Sequence, residues 1–305
     1  MGLDAVDREA LFVDFEIWCQ GLFSLPFALP GSPFARARQA RKRLLLRLGA
    51  VLQNAQAAAA AGAPLAAGGL DLLAGGLDEA GIPLADDDVA EQLLLLLFAG
   101  YETTASSLSC LLLTLLQHPK ELAWLLEELD GLPWPPAAAE AVSAYDALRA
   151  PRLDAVVKEV MRLTPPVGGF FRRTREPIAL AGVLVPAERV VQVSISASQR
   201  HGADPEDLAA FRPQRHLEGD ETVTLLPFGG GERVCLGKAL AELEIRLLAV
   251  GLLKQLSLDL EPDQDLTLVV IPSPTPKQGL LVRASRRGAA GQAKAGPPDA
   301  PEAQT

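Results

Sequence analysis

The chain of 305 residues has only three cysteines, three histidines and no surplus of positive charge, and each shortage removes a class of function. Cys19, Cys110 and Cys235 are odd in number and far apart, so no disulfide framework is readable and a reducing, cytoplasmic compartment is the simpler expectation. His118, His201 and His216 show no ligand spacing with any cysteine, which argues against zinc. With 28 basic against 38 acidic residues the net charge is −10, which disfavours nucleic acid as a partner. The opening MGLDAVDREALFVDFEIW lacks the basic region, apolar core and small-residue cleavage site of a secretion signal. What the chain does have is apolar material, 49% of its residues, enough for a large core in one or two domains. From Arg286 to Thr305 it is rich in Ala, Gly, Pro and Gln without apolar periodicity, which reads as a disordered tail after a folded part at 1–285.

Phe228 to Gly237, FGGGERVCLG, presents one thiol inside a tight glycine-rich turn. The thiolate is the form that binds metal, and a protein must stabilise that anion at neutral pH. Gly229, Gly230, Gly231 and Gly237 remove side chains around the sulfur, permit φ > 0 and let a flat ligand approach the backbone. Arg233, read as part of an extended turn, can point with Cys235 toward an anionic group on that ligand. The following KALAELEIRLLAVGLLKQL is helical in period, so Cys235 lies just before a helix N-terminus whose partial positive charge favours an anion. The bland alternative is a buried structural cysteine in a glycine-rich loop.

The pattern FxxGxRxCxG resembles the heme-ligand signature of the cytochrome P-450 family. That resemblance implies that Cys235 is the axial ligand of the iron of heme b (iron protoporphyrin IX), its electron-rich sulfur promoting O–O cleavage. It also implies that Phe228 shields the sulfur and that Gly231, Arg233 and Gly237 belong to the cofactor-binding loop.

Val89 to Leu116 is long and apolar enough to span a bilayer. Glu91, Gln92, Glu102, Thr103 and Thr104 lie inside it, so a buried core helix over 86–118 fits better. Asp86 to Asp88 favour its N-terminus and His118-Pro119 closes it. Within it, AGYETT resembles the family's oxygen-activation segment. Small Ala99 and Gly100 would leave room beside a flat cofactor, and a Thr103 hydroxyl bonded one turn back would loosen the helix. Glu102 and Thr103 would then relay protons to bound oxygen, the alternative being that the threonines merely pack.

Glu159 and Arg162, at i and i+3 in KEVMRL, share a helical face in the amphipathic segment Pro151 to Leu163. Alone such a pair is usually a solvated surface contact. The resemblance implies that it locks to Arg215 of FRPQR in a buried network supporting the thiolate loop. Short β segments are expected at Ile178 to Leu180, Arg189 to Val193, Leu266 to Ile271 and Gly279 to Val282. In the family an arginine after Pro-Pro-Val reaches a heme propionate; Arg172 matches best, with Arg173 the alternate and an exposed strand residue the bland reading.

GLFSLPFALPGSPF followed by RARQARKRLLLRL could lie peripherally on anionic lipid, although a solvated basic helix face is the simpler reading. Both this stretch and DLTLVVIPSPTPKQGLLVRA resemble the branch that hydroxylates retinoic acid. The resemblance spans about residues 10 to 284 and implies a mainly α fold with a small β portion. It implies further elements before the first helix here, including a helix whose Trp and Arg grip the heme, so the chain is read as the C-terminal two-thirds of such an enzyme. The expected reaction is hydroxylation of a small apolar, retinoid-like substrate by dioxygen. No flavin or iron–sulfur motif is present, so the two electrons would come from a separate donor of ferredoxin or flavodoxin/reductase type, docking where Arg233 and Lys238 add positive charge. The rival readings are a non-catalytic remnant with weak or no heme binding, and a peroxide-rearranging enzyme of the same fold, against which the Glu102-Thr103 pair argues.

Overall fold

The computed structural model describes residues 5–62, 76, 80–132, 134, 150–202, 204–219 and 223–287. The chain divides into two compact units at Glu102 and Thr103.

The first unit is helical. Helix α1 spans Ala5–Leu22 and α2 spans Pro33–Ala60, and the first half of α3 (Asp86–Gln117) completes it. Ser32 caps α2 by accepting from the Ala35 N–H at 3.1 Å, and Pro33 supplies a ready-made first-turn φ. Leu44, Leu48 and Leu52, one turn apart on α2, bury against Leu11 and Phe15 of α1 and Val89, Leu93 and Leu94 of α3. A Cβ on Gly21 would stand 2.2 Å from that of Ala37, so α1 and α2 cross where a side chain is missing. The basic stretch of α2 is partly neutralised. Arg43 donates to buried Asp14 at 2.6 Å and Arg41 pairs with Glu91, while Arg36, Arg38 and Lys42 are exposed.

In the second unit α3 continues to Gln117 and is followed by α4 (Pro119–Asp130), α5 (Pro151–Leu163) and, near the end of the fold, α9 (Lys238–Gln255). Leu111 and Leu115 of α3, Leu125 and Leu129 of α4, Val156 and Val160 of α5 and Ala249 and Val250 of α9 form one core. The expected helix end at 118 moves by one residue. Pro119 disfavours α geometry in the residue before it, so His118 leaves α3 and stands at the N-cap position of α4, its Nδ1 turned back to within 2.7 Å of the Thr114 carbonyl in the last turn of α3. Among the described residues α3 alone is long and apolar enough to cross a membrane, yet it buries Leu93 and Leu94 in the first unit's core and Cys110, Leu111 and Leu115 in the second's.

The β portion consists of four two-stranded antiparallel ladders: β1 (Gly169–Arg173) with β4 (Val190–Ser194), β2 (Ile178–Leu180) with β3 (Val183–Val185), β5 (Leu256–Leu260) with β8 (Val282–Arg286), and β6 (Leu268–Val269) with β7 (Thr275–Pro276). Three expected strands shift. The run at 189–193 moves on by one residue to β4. The run at 266–271 keeps only β6. The run at 279–282 is displaced because Gly279 sits at φ +80° and the Leu281 backbone is engaged by the Gln264 side chain, at 3.0 and 2.8 Å, so β8 starts at Val282. The tail boundary shifts too. Arg286 closes β8 and Arg287 forks onto Asp130 at 2.7 and 3.0 Å, while 288–305 lie outside the described residues. Helices α6 (Ile195–Ser198), α7 (Pro205–Ala209) and α8 (Arg215–Glu218) are single turns between β4 and the glycine-rich loop.

Candidate heme-thiolate site

Cys235 is an exposed thiol three residues before the first residue of α9. Its N–H donates to the Phe228 carbonyl at 3.0 Å and its own carbonyl accepts from Lys238 at 3.4 Å, so the loop is closed on itself and tied to the helix start. Gly229 and Gly231 sit at φ +69° and +70°; nothing lies within 4 Å of a Cβ on Gly231, so conformation rather than space calls for glycine there. Gly231–Arg233 forms a 3₁₀ turn, with the Val234 N–H on the Gly231 carbonyl at 3.1 Å. The expected extended geometry around Arg233 is therefore replaced by a turn, which leaves Arg233 exposed. Gly237 stands so that a Cβ there would be 4.0 Å from Cys235 Sγ.

Behind the loop lies the charge network. Glu159, Arg162 and Arg215 are fully buried. Glu159 accepts from Arg162 at 2.8 and 2.9 Å, from Arg215 Nε at 3.0 Å, from the Arg212 N–H at 3.1 Å, and sits 2.8 Å from His216 Nε2. Arg215 also grips Asp207, by Nη1 to its carboxylate at 2.7 Å and by Nη2 to its carbonyl at 2.8 Å. Burial pushes the Glu159 carboxyl up, but hydrogen bonds from Arg162, His216 and Arg212 with the Arg162 charge outweigh it and hold the group at about 2. Sequence reasoning missed His216, Asp207 and Gln199. The first two flank Arg215 at short range, and Gln199 carries no motif at all.

The strand β1 approaches the same loop. A Cβ on Gly229 would lie 3.8 Å from the Phe170 ring, and the Arg172 guanidinium stacks 4.3 Å above that ring while donating to the Phe171 carbonyl at 2.9 Å. Arg172 thus stands two contacts from the cysteine loop. Phe228 packs on the second unit's core, with the Lys238 ammonium 5.8 Å from its ring centre.

Thr103 opens the second unit, and its carbonyl accepts from the Ser107 hydroxyl at 2.8 Å. Thr103 lies within α3, which is assigned α-helix throughout Asp86–Gln117. Ala99, Gly100 and Glu102 belong to the first unit, where Ala99 and Gly100 are exposed and Glu102 is half-buried. There burial, with the charges of Glu102 and Glu16, pushes the Cys19 thiol up to about 12, which removes it as a competing thiolate.

The Cytochrome P450 family model matches residues 15–284. The chain belongs to the cytochrome P450 family. It is 38% identical over 93% of its length to a protein of Synechocystis sp. named as cytochrome P450 120, covering 63% of that protein. It is 33% identical over 91% of its length to mouse cytochrome P450 26B1, covering 56% of it. Among solved structures it is similar to retinoic acid bound cyanobacterial CYP120A1, with a TM-score of 0.74, 36% identity and coverage of 91% of this chain and 63% of that one. The chain therefore spans about three-fifths of the length of the relatives it matches. The mainly α fold with a small β portion is the P450 fold.

The P450 loop residues fit a heme. The stretch from Gly230 to Leu240 is exposed throughout, and it sets Val234, Leu240 and Leu236, the last 87% exposed, beside the one exposed thiol among the described residues. A flat, mostly apolar ligand whose iron takes a thiolate matches that face.

Proposed function

We propose that this chain carries the heme-thiolate part of a monooxygenase that hydroxylates an elongated apolar, retinoid-like substrate. The observation that carries the reading is the exposed Cys235 thiol in a glycine loop backed by the buried Glu159 network. Heme b, when bound, supplies dioxygen activation: substrate C–H, dioxygen, two electrons and two protons give the alcohol and water.

The chain's own residues have distinct parts in this. Cys235 would hold the iron, with the α9 N-terminus favouring the anion. With heme bound, Phe228 would shield the sulfur from water, while Arg233 and Arg172 would pair the propionates. Glu102 and Thr103, consecutive on α3, would hold and pass the two protons at their carboxylate and hydroxyl oxygens. The retinoid-like character is supported by the likeness to CYP120A1, whose structure holds retinoic acid, and by the apolar tip Val269, Val270 and Ile271 beside the Pro-rich turn. A separate electron donor of ferredoxin or flavodoxin/reductase type would dock by the exposed Arg233 and Lys238. A cytoplasmic location with peripheral membrane contact is part of the reading, supported by exposed Phe23, Leu25, Phe27 and Leu29 ahead of Arg36, Arg38 and Lys42.

The test is the reduced, CO-bound spectrum of the chain purified with added heme. The expected result is the red-shifted Soret band of thiolate ligation, abolished in Cys235→Ala, and a spin-state shift on titration with retinoic acid. No retained heme, or retention indifferent to Cys235→Ala, would sink the reading and favour the remnant.

A further inference from the structure

Gln199 is 1% exposed, sits just after the single-turn α6 and spends both ends of its carboxamide on distant backbone. Its Nε2 donates to the carbonyls of Met161 and Arg162, both at 3.1 Å, two of the last carbonyls of α5, which have no partner within that helix. Its Oε1 accepts from the Leu226 N–H at 2.7 Å. Its backbone carbonyl accepts from Arg162 Nη1 at 3.2 Å, the same guanidinium that grips Glu159. The amide can face only one way. A flip would turn Oε1 onto two carbonyl oxygens and the NH₂ group onto an N–H.

Leu226 stands two residues before Phe228, and its carbonyl accepts from Gly229 at 3.0 Å. The Phe228 carbonyl in turn accepts from Cys235 N–H. The path from the charge network to the thiol is thus Glu159, Arg162, Gln199, Leu226, the Phe228-Gly229 corner and Cys235. In the described structure, Gln199 is the point where it leaves the helix end and enters the loop.

We propose that Gln199 is the positioning residue of the Cys235 loop: the buried Glu159–Arg162 pair sets the sulfur's position through the Gln199 carboxamide. The proposal rests on the heme-thiolate reading for its consequence, not for its geometry. It gives the network a directed role: an ion pair that merely held the fold together would not need a side chain aimed at the start of the cysteine loop.

The test uses the full chain in two variants. Gln199→Met keeps length and volume but removes all three side-chain bonds, whereas Gln199→Glu keeps an acceptor for Leu226. Site-resolved hydrogen exchange should show the Leu226 amide exchanging about tenfold faster in Gln199→Met, with the amides of α4 unchanged. In Gln199→Glu the Leu226 amide should stay protected. The heme-loaded Gln199→Met protein should shift its CO-bound spectrum from the thiolate band toward the band of displaced or protonated thiolate, with Gln199→Glu restoring most of the former. Equal Leu226 exchange in wild type and Gln199→Met overturns the proposal, as does a loss of protection uniform across α4 and Leu226. Should Gln199→Met lose its helical circular dichroism altogether, Gln199→Glu decides: retained Leu226 protection supports the proposal and lost protection overturns it. If the wild-type chain itself gives no thiolate band, the proposed function fails while the exchange measurement still judges Gln199.

Discussion

Glu159 takes hydrogen bonds from two guanidinium groups, a backbone N–H and an imidazole, so removing its charge leaves buried Arg162 without its carboxylate partner and Arg215 with Asp207 alone. Replacing one member of a buried charge network costs about 3–5 kcal/mol, and Glu159→Gln should lose stability on that scale in urea unfolding. Its pH dependence has a definite sign. The folded-state group titrates at about 2, below its ordinary 4.5, so its contribution is fully present above pH 4.5 and is lost as pH falls toward 2. That difference is worth about 3 kcal/mol. Subtracting the stability curve of Glu159→Gln from that of wild type between pH 5 and 2 should therefore give a difference that shrinks with acid. A flat difference would mean that the carboxylate charge is not what the arginines hold.

At the scale of elements, α3 is fastened to the Pro-rich turn between β6 and β7 by two side chains one turn apart. Buried Ser106 donates its hydroxyl to the Pro274 carbonyl at 2.6 Å, and the Cys110 thiol reaches the same oxygen at 3.3 Å. Sulfur is the weaker donor, so Ser106→Ala should cost about 1 kcal/mol and speed hydrogen exchange over residues 270–277, leaving that of α5 unchanged. The helices around this clip were readable because their ends are punctuated. Pro151 and Thr164-Pro165-Pro166 bracket α5, and Asp86 and Pro119 bracket α3, so local sterics and capping decide the boundaries. The strands were less readable because partners decide them: β8 begins at Val282 once Gln264 has taken up the Leu281 backbone. Site residues divide the same way. The cysteine loop and the Glu159–Arg162 pair are local patterns, whereas Gln199 binds carbonyls 38 and 37 residues behind it and an N–H 27 residues ahead, a relation no periodicity encodes.

For the molecule as a whole, heme should act as a folding ligand. A group that binds only the folded chain stabilises it by RT ln(1 + [L]/Kd), about 2.7 kcal/mol when free ligand is a hundred times Kd. Each kcal/mol raises Tm by roughly 2–4 °C in a domain of this general size, so saturating heme should raise the midpoint by several degrees. The Cys235 loop is exposed and hydrogen-bonded mostly within itself, so Cys235→Ala should leave the heme-free midpoint nearly unchanged. The gain on adding heme should largely vanish in that variant. Glu159→Gln makes the opposite pairing, a lower heme-free midpoint because its contacts hold α5 and α8 together without any cofactor. Differential scanning calorimetry of the three proteins with and without heme separates these roles. An equal heme-induced rise in wild type and Cys235→Ala would place the binding free energy elsewhere than the thiolate, since the only covalent change between them is the sulfur.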